Sequence, residues 1–194
     1  MSKLEHRNLP LDMIEVRDSA AGPTIRGHAA VFESFSDPIA GMFVERIQRG
    51  AFARAIKEKQ DVRALLNHDP NIILGRTKSG TLRLAEDRAG LMVEIDPPDT
   101  AAARDVMISI RRGDIDQMSF AFRAVTELWS AGGGPNDEEV RDLIDVDLFD
   151  VSPVAFPAYP ETDVAVRSCE MWRRERVHDA AILRLRLALA RAGA

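Results

Sequence analysis

Apolar and polar residues alternate along this chain in many short runs. In Thr81–Leu84 and Leu91–Ile95, large apolar side chains recur at every second position, the period of a half-buried strand. The link between them, Glu86-Asp87-Arg88-Ala89-Gly90, is polar and ends in glycine, so the two runs predict a hairpin. Thr24–Phe32, Val62–Asn67, Met118–Thr126 and Val140–Leu148 also have strand character. Pro97-Pro98 stops the Leu91–Ile95 strand, because proline cannot donate to a ladder.

Two segments switch to the helical period. Asp99-Thr100 offers an N-cap, Ala101–Arg112 are mostly good helix formers, and Gly113 stands at the stop. Ala103, Val106, Met107 and Ile110 make the apolar stripe. A shorter helix is expected over Ala51–Lys59, with Phe52, Ala55 and Ile56 facing inward. Ser130–Asp137 is rich in Gly, Asn and Pro and lies between two strand-like runs, so it predicts the tip of a long hairpin. Glu170–Arg191 is rich in Ala, Leu and Arg. Its last part alternates like a strand, but β-branched residues are nearly absent and helix is favoured. The sum is a β-rich α+β fold, a barrel or a sandwich.

Composition narrows the classes. The chain has 194 residues and a net charge of −5, against the basic balance expected of a nucleic-acid binder. The charge is uneven: six arginines against three acids give residues 168–194 a net of +3, leaving −8 on the rest. That shift predicts a body over residues 1–167 and a basic helical tail over 168–194. Cys169 is the one cysteine, so an internal disulfide and a four-thiolate metal site are excluded. No run approaches the roughly 20 apolar residues of a membrane helix, and MSKLEHRNLPLDMIEV has no apolar core of signal-peptide length. The expectation is a soluble protein in a reducing compartment.

Three residues could carry chemistry. His68 ends the run Val62–Asn67 and precedes the turn pair Asp69-Pro70. A histidine at a strand end can present its ring to a cleft, although a histidine satisfied by its own turn has the same signature. Ser119 lies in Met118-Ser119-Phe120-Ala121-Phe122, where alternation sends it to the face opposite Met118, Phe120 and Phe122. Its neighbour on that face is the small Ala121, which leaves room for a ligand. A strand serine bonded locally would look alike. Asp150 stands between Leu148-Phe149 and Val151 and needs a partner if buried; a turn acid at a strand end is the plainer reading. Asp145 and Asp147 are weaker alternatives, since they alternate with Val146 and Leu148. A serine nucleophile needs a base, and the base needs an orienting acceptor. Spacing alone does not bring the three together. His6 lies in a polar stretch and reads as a solvated chain end. No HExxH motif, Cys/His cluster, Walker A loop or GxSxG elbow occurs, so the expectation is no metal and no cofactor.

Several phrases, in order, resemble the HK97-type prohead proteases of tailed phages. They are Gly27-His28-Ala29-Ala30-Val31-Phe32, Glu45–Phe52, Leu65-Leu66-Asn67-His68-Asp69, Leu74-Gly75-Arg76, Ser79-Gly80-Thr81-Leu82 and Asp87–Leu91. Met118–Phe122, Asp150–Val154 and Pro157-Ala158-Tyr159-Pro160 complete the set, which spans about Met13 to Val166. The resemblance implies an assemblin-like, mostly antiparallel β-barrel flanked by helices. It implies a serine endopeptidase that cuts scaffold segments from the shell protein, and itself, during prohead maturation.

By position in the matching phrases, the resemblance makes His68 the base, Ser119 the nucleophile and Asp150 the third member. It reads His28 as packing. The oxyanion contact falls by default to a backbone N–H, with Arg76 and Arg123 as alternatives. Implied partners are the major capsid protein with its scaffold segment, the portal and a second copy of the chain. Neither nucleic acid nor membrane is implied. The implied location is the immature capsid in the bacterial cytoplasm. A non-catalytic assembly factor on the same barrel, or a hydrolase of small esters, are the competing functions.

Overall fold

The computed structural model describes residues 4–9, 14–20, 22–156 and 163–192. The phrase Pro157–Pro160 lies outside them. Along the chain the elements are β1 (Glu5–Leu9), β2 (Glu15–Ser19), β3 (Gly22–Val31), β4 (Phe43–Ile47), α1 (Ala53–Lys57), β5 (Arg63–Leu66) and β6 (Asp69–Arg76). Then follow β7 (Leu82–Glu86), β8 (Gly90–Ile95), α2 (Ala101–Arg112), β9 (Gln117–Ser130), β10 (Glu139–Val154) and α3 (Asp163–Ala192).

The strands form two sheets. One has four strands in the order β2-β3-β8-β7, all antiparallel. The other is mixed, in the order β1-β9-β10-β5-β6, with β4 also paired to β10. β9 and β10 form the long hairpin, and β10 then serves as the parallel partner of both β4 and β5. The β-rich α+β expectation holds, but the closed barrel does not: among the described residues the two sheets share no ladder. Closure would need edge strands with a continuous row of donors. The edge strand β6 contains Pro70, which has none, and it is bulged against β5.

One apolar cluster joins the two sheets to the helices. Ile25, Leu91, Val93 and Ile95 come from the smaller sheet, and Phe120, Phe122, Val146 and Leu148 from the larger. Phe52 at the start of α1, Ala55 within it, and Ala103, Val106, Met107 and Ile110 of α2 complete it. The α2 stripe and limits are those the sequence predicts. Thr100 Oγ1 accepts from the Ala103 N–H, and Gly113 ends the helix at φ 77°. Gly90 begins β8 where no side chain fits: a Cβ there would lie 1.8 Å from the Ala30 carbonyl oxygen.

Four strands escape the sequence reading. β1 (EHRNL) reads as a polar end, and β2 (EVRDS) is mostly exposed. β4 (FVERI) buries its glutamate, which breaks the alternation. β6 opens with Asp-Pro, a turn signature, whereas the turn lies two residues earlier, at Asn67-His68. α3 starts before the expected Glu170 and passes through Ser168 without a break. Ala165 and Cys169 pack against Ile39 and Phe43, and Trp172 stacks on Trp129 at 5.7 Å. No helix among the described residues is long and apolar enough to cross a membrane.

Candidate active site

The larger sheet buries an unusual set of polar side chains, and they fall on two faces. On the core face, β1 lays Glu5 and Arg7 against Glu45 of β4 and Arg141 of β10. Arg7 Nε donates to Glu45 Oε1 at 2.7 Å, and Arg141 Nη1 donates to Glu5 Oε2 at 2.6 Å and Glu45 Oε2 at 2.8 Å. Glu127 also pairs with Arg141. Burial works against the Arg141 charge, but Glu45, Glu5 and Glu127 outweigh it and hold the guanidinium more firmly protonated than usual. Breaking such a buried network from one side costs about 3–5 kcal/mol.

On the opposite face lie Ser119, Ala121, Asp150 and Ser152, all buried. Ser119 reaches it by the alternation seen in the sequence. Asp150 reaches it only through a bulge. Leu148 pairs with Phe122, and Asp150 with Ala121, so β10 spends two residues where β9 spends one. Without the extra residue, Phe149, the carboxylate would follow Val146 and Leu148 into the apolar core. With it, Asp150 and Ala121 share a face, as do Ser152 and Ser119.

His68 arrives from the tip of the β5–β6 hairpin. Leu66 pairs with Asp69, leaving Asn67 and His68 as a two-residue turn at φ 50° and 59°. Both signs are those of a type I′ turn, which asparagine tolerates and glycine usually completes. A histidine in the second place costs about 1–2 kcal/mol. The turn is tied down on the far side: the Asn67 N–H donates to the Pro153 carbonyl at 3.0 Å, and Asn67 Oδ1 accepts from the Ala155 N–H at 2.9 Å.

The three side chains singled out in the sequence meet here. His68 Nδ1 lies 2.6 Å from Asp150 Oδ1, and His68 Nε2 lies 2.6 Å from Ser119 Oγ. A carboxylate only accepts, so Nδ1 donates and a neutral ring leaves Nε2 as the acceptor. Ser119 Oγ has a second neighbour, the Arg7 carbonyl, at 3.0 Å. The hydroxyl has one proton for two acceptors. It serves Nε2 when that nitrogen is bare, and turns to the carbonyl when Nε2 itself donates. Ser119 is fully enclosed, while 15% of the His68 side chain is exposed, so solvent reaches the site over the imidazole.

Two participants were missed in the sequence. Ser152 Oγ donates to Asp150 Oδ1 at 2.9 Å, fixing the carboxylate; its place two residues on along the strand was the available signal. His6 is the larger correction. It is no solvated chain end: it sits in β1 across from Ala121, and its ring meets the His68 ring edge-on, 4.2 Å between centroids at 72°. Its Nδ1 is buried without a partner. Burial, then His68 and Arg7, pull its pKa down, against the opposing pull of Asp150. Ala121 is fully buried, and its small side chain leaves room for this ring pair rather than for a ligand of its own. The polar composition of β1 hid the strand, and with it His6.

The other candidates are engaged by other groups. His28 bonds Asp87 at 2.8 Å in the smaller sheet. Arg76 is held by Asp61 through contacts of 2.7 and 2.5 Å. The Arg123 guanidinium lies over the Phe149 ring at 5.2 Å. Asp145 and Asp147 both pair with Arg54 at the surface. Among the described residues no group of three His, Cys, Asp or Glu side chains could hold a metal ion.

Comparison with known proteins gives two findings. The family model described as caudovirus prohead serine protease matches residues 11–176. The solved structure of the bacteriophage T4 capsid assembly protease, gp21, is similar to this chain at 14% identity and a TM-score of 0.47, covering 78% of this chain and 96% of that one. No curated protein matches.

Proposed function

The chain belongs to the caudovirus prohead serine protease family, and we propose that it cleaves scaffold segments from the major capsid protein inside the immature capsid of a phage-infected bacterium. Ser119 is the nucleophile, His68 the general base and then acid, and Asp150 the group that orients the imidazole. The observation that carries this reading is the unbroken line from Asp150 through His68 to Ser119, with 2.6 Å at both links.

Ser119 Oγ bonds to the carbonyl carbon of the scissile peptide, and its proton passes to His68 Nε2. The tetrahedral adduct collapses, the C–N bond breaks, and the leaving nitrogen takes that proton. Water repeats the sequence on the acyl-enzyme and frees Ser119. Asp150, steadied by Ser152, keeps Nδ1–H pointed away from the serine throughout. The substrate binds extended, as main-chain recognition at a sheet edge requires.

The same chemistry extends to the chain itself. The body over residues 1–167 does the cutting, and the tail over 168–194 is the candidate for self-removal. The portal and a second copy of the chain are further partners in this reading. The test is to mix purified wild-type or Ser119→Ala protein with its capsid subunit and follow the products by mass spectrometry. Wild-type protein should release a scaffold fragment and the alanine variant should not. Cleavage by the variant would defeat the proposal.

A further inference from the structure

We infer that His6 is a positioning residue for His68: its ring is the wall that keeps the imidazole in line between accepting the Ser119 proton and delivering it to the leaving group. The inference rests on the peptidase reading above.

In the resting site His68 has a hydrogen bond at each nitrogen, both in the ring plane, and these fix its orientation. That changes once Ser119 Oγ has bonded to the substrate carbon. The oxygen is then ether-like and a poor acceptor, and Nε2–H must find the leaving nitrogen. At that moment only the Nδ1 link to Asp150 is secure, and a ring held at one nitrogen can swing out of plane. The bonds that tie down its turn run through Asn67 to Pro153 and Ala155, so they hold the main chain rather than the ring.

His6 closes that path. Its ring stands 72° to His68 with 4.2 Å between centroids, a contact too close to let the imidazole shift toward it. The wall is stiff because the other face of β1 is clamped. Arg7 is held by Glu45 and Glu5 by Arg141, each within 3.0 Å. β1 therefore puts its charges into the network and the residue between them against the base. The charged and titratable groups that act on His6 are His68 from the turn, Asp150 from β10 and Arg7 from β1. Burial and the first of these favour a neutral ring, which can stand beside a His68 imidazolium without repelling it.

The role predicts a kinetic signature that general loosening of the fold does not share. Expelling an amine needs the His68 proton, whereas expelling p-nitrophenolate does not. The experiment uses a peptide p-nitroanilide and the p-nitrophenyl ester of the same peptide acid, taken from the cut site found in the capsid subunit. His6→Ala and His6→Gln should each lower kcat on the anilide about tenfold, with KM little changed, on the scale that small misplacements of a catalytic group produce. The p-nitrophenolate burst from the ester, which reports acylation alone, should stay within about twofold of wild type. His6→Phe, which restores a ring, should recover most of the anilide rate. Equal losses on both substrates, no loss on either, or a Phe variant as poor as Ala would each overturn the inference. Should the Ala variant fail to fold, the Gln and Phe pair decides in the same way. Anilide and ester turnover that survive Ser119→Ala would instead defeat the peptidase reading itself.

Discussion

The two sheets are made of similar strands but obey different rules. The four-stranded sheet pairs antiparallel throughout with a single register shift, between His28 and Ala30. Its buried side chains are apolar: Ile25, Leu82, Leu91, Val93 and Ile95. The six-stranded sheet is mixed, bulged at several places, and encloses Glu5, Arg7, Glu45, Ser119, Arg141, Asp150 and Ser152. It also receives the left-handed turn at Asn67-His68. Local rules are kept where a sheet only has to be stable, and broken where side chains must converge. Polar groups placed inside a sheet need partners, and here most come from another strand, with Ser152 to Asp150 and Arg7 to Glu5 paired along their own.

That contrast can be pressed with substitutions. The largest effect should come from Asp150→Asn, which keeps the shape of the site but lets His68 take the wrong tautomer. Peptide cleavage should fall by about 10⁴-fold, the scale known for the equivalent change in other serine proteases, with the melting temperature little moved. Next is Arg141→Met, which leaves Glu5, Glu45 and Glu127 short of a cation. Urea unfolding should show a loss of about 3–5 kcal/mol. A melting curve unchanged from wild type would mean that the network does not hold β1.

Leu91→Ala acts on the simpler sheet. It should cost about 2–5 kcal/mol, while the protein that remains folded cuts peptide at the wild-type rate. Loss of turnover in step with stability would erase the distinction between the sheets. The smallest effect is a pH dependence. His6 binds a proton less readily folded than unfolded, where its pKa is the ordinary 6.5. Its contribution is therefore fully present at neutral pH and declines as the pH falls below about 6.5. Thermal melts from pH 7.5 to 5 should show that decline, and His6→Phe should flatten it.

The same contrast explains what could be read from the sequence. The β7–β8 hairpin, α2 with its Thr100 and Gly113 caps, and the long hairpin tip follow from period and punctuation alone. Ser119 was legible because β9 alternates faithfully through it. Asp150 was legible as a residue but not as a position, since alternation sends it to the core and only the Phe149 bulge redirects it. The His68 turn is displaced by two residues because Asp69-Pro70 has the stronger turn signature. β1 was invisible: its inward side chains are Glu5 and Arg7, and a strand that buries charge has no hydrophobic pattern to find. The barrel expected from the family resemblance gave way to two sheets for a reason of pairing, which composition does not register.

The most direct measurement is labelling by a fluorophosphonate, followed by mass spectrometry of the modified peptide. The account predicts one adduct, on Ser119, formed by the wild-type chain and lost in His68→Ala. An adduct on another serine, or one on Ser119 that forms equally fast without the imidazole, would contradict it.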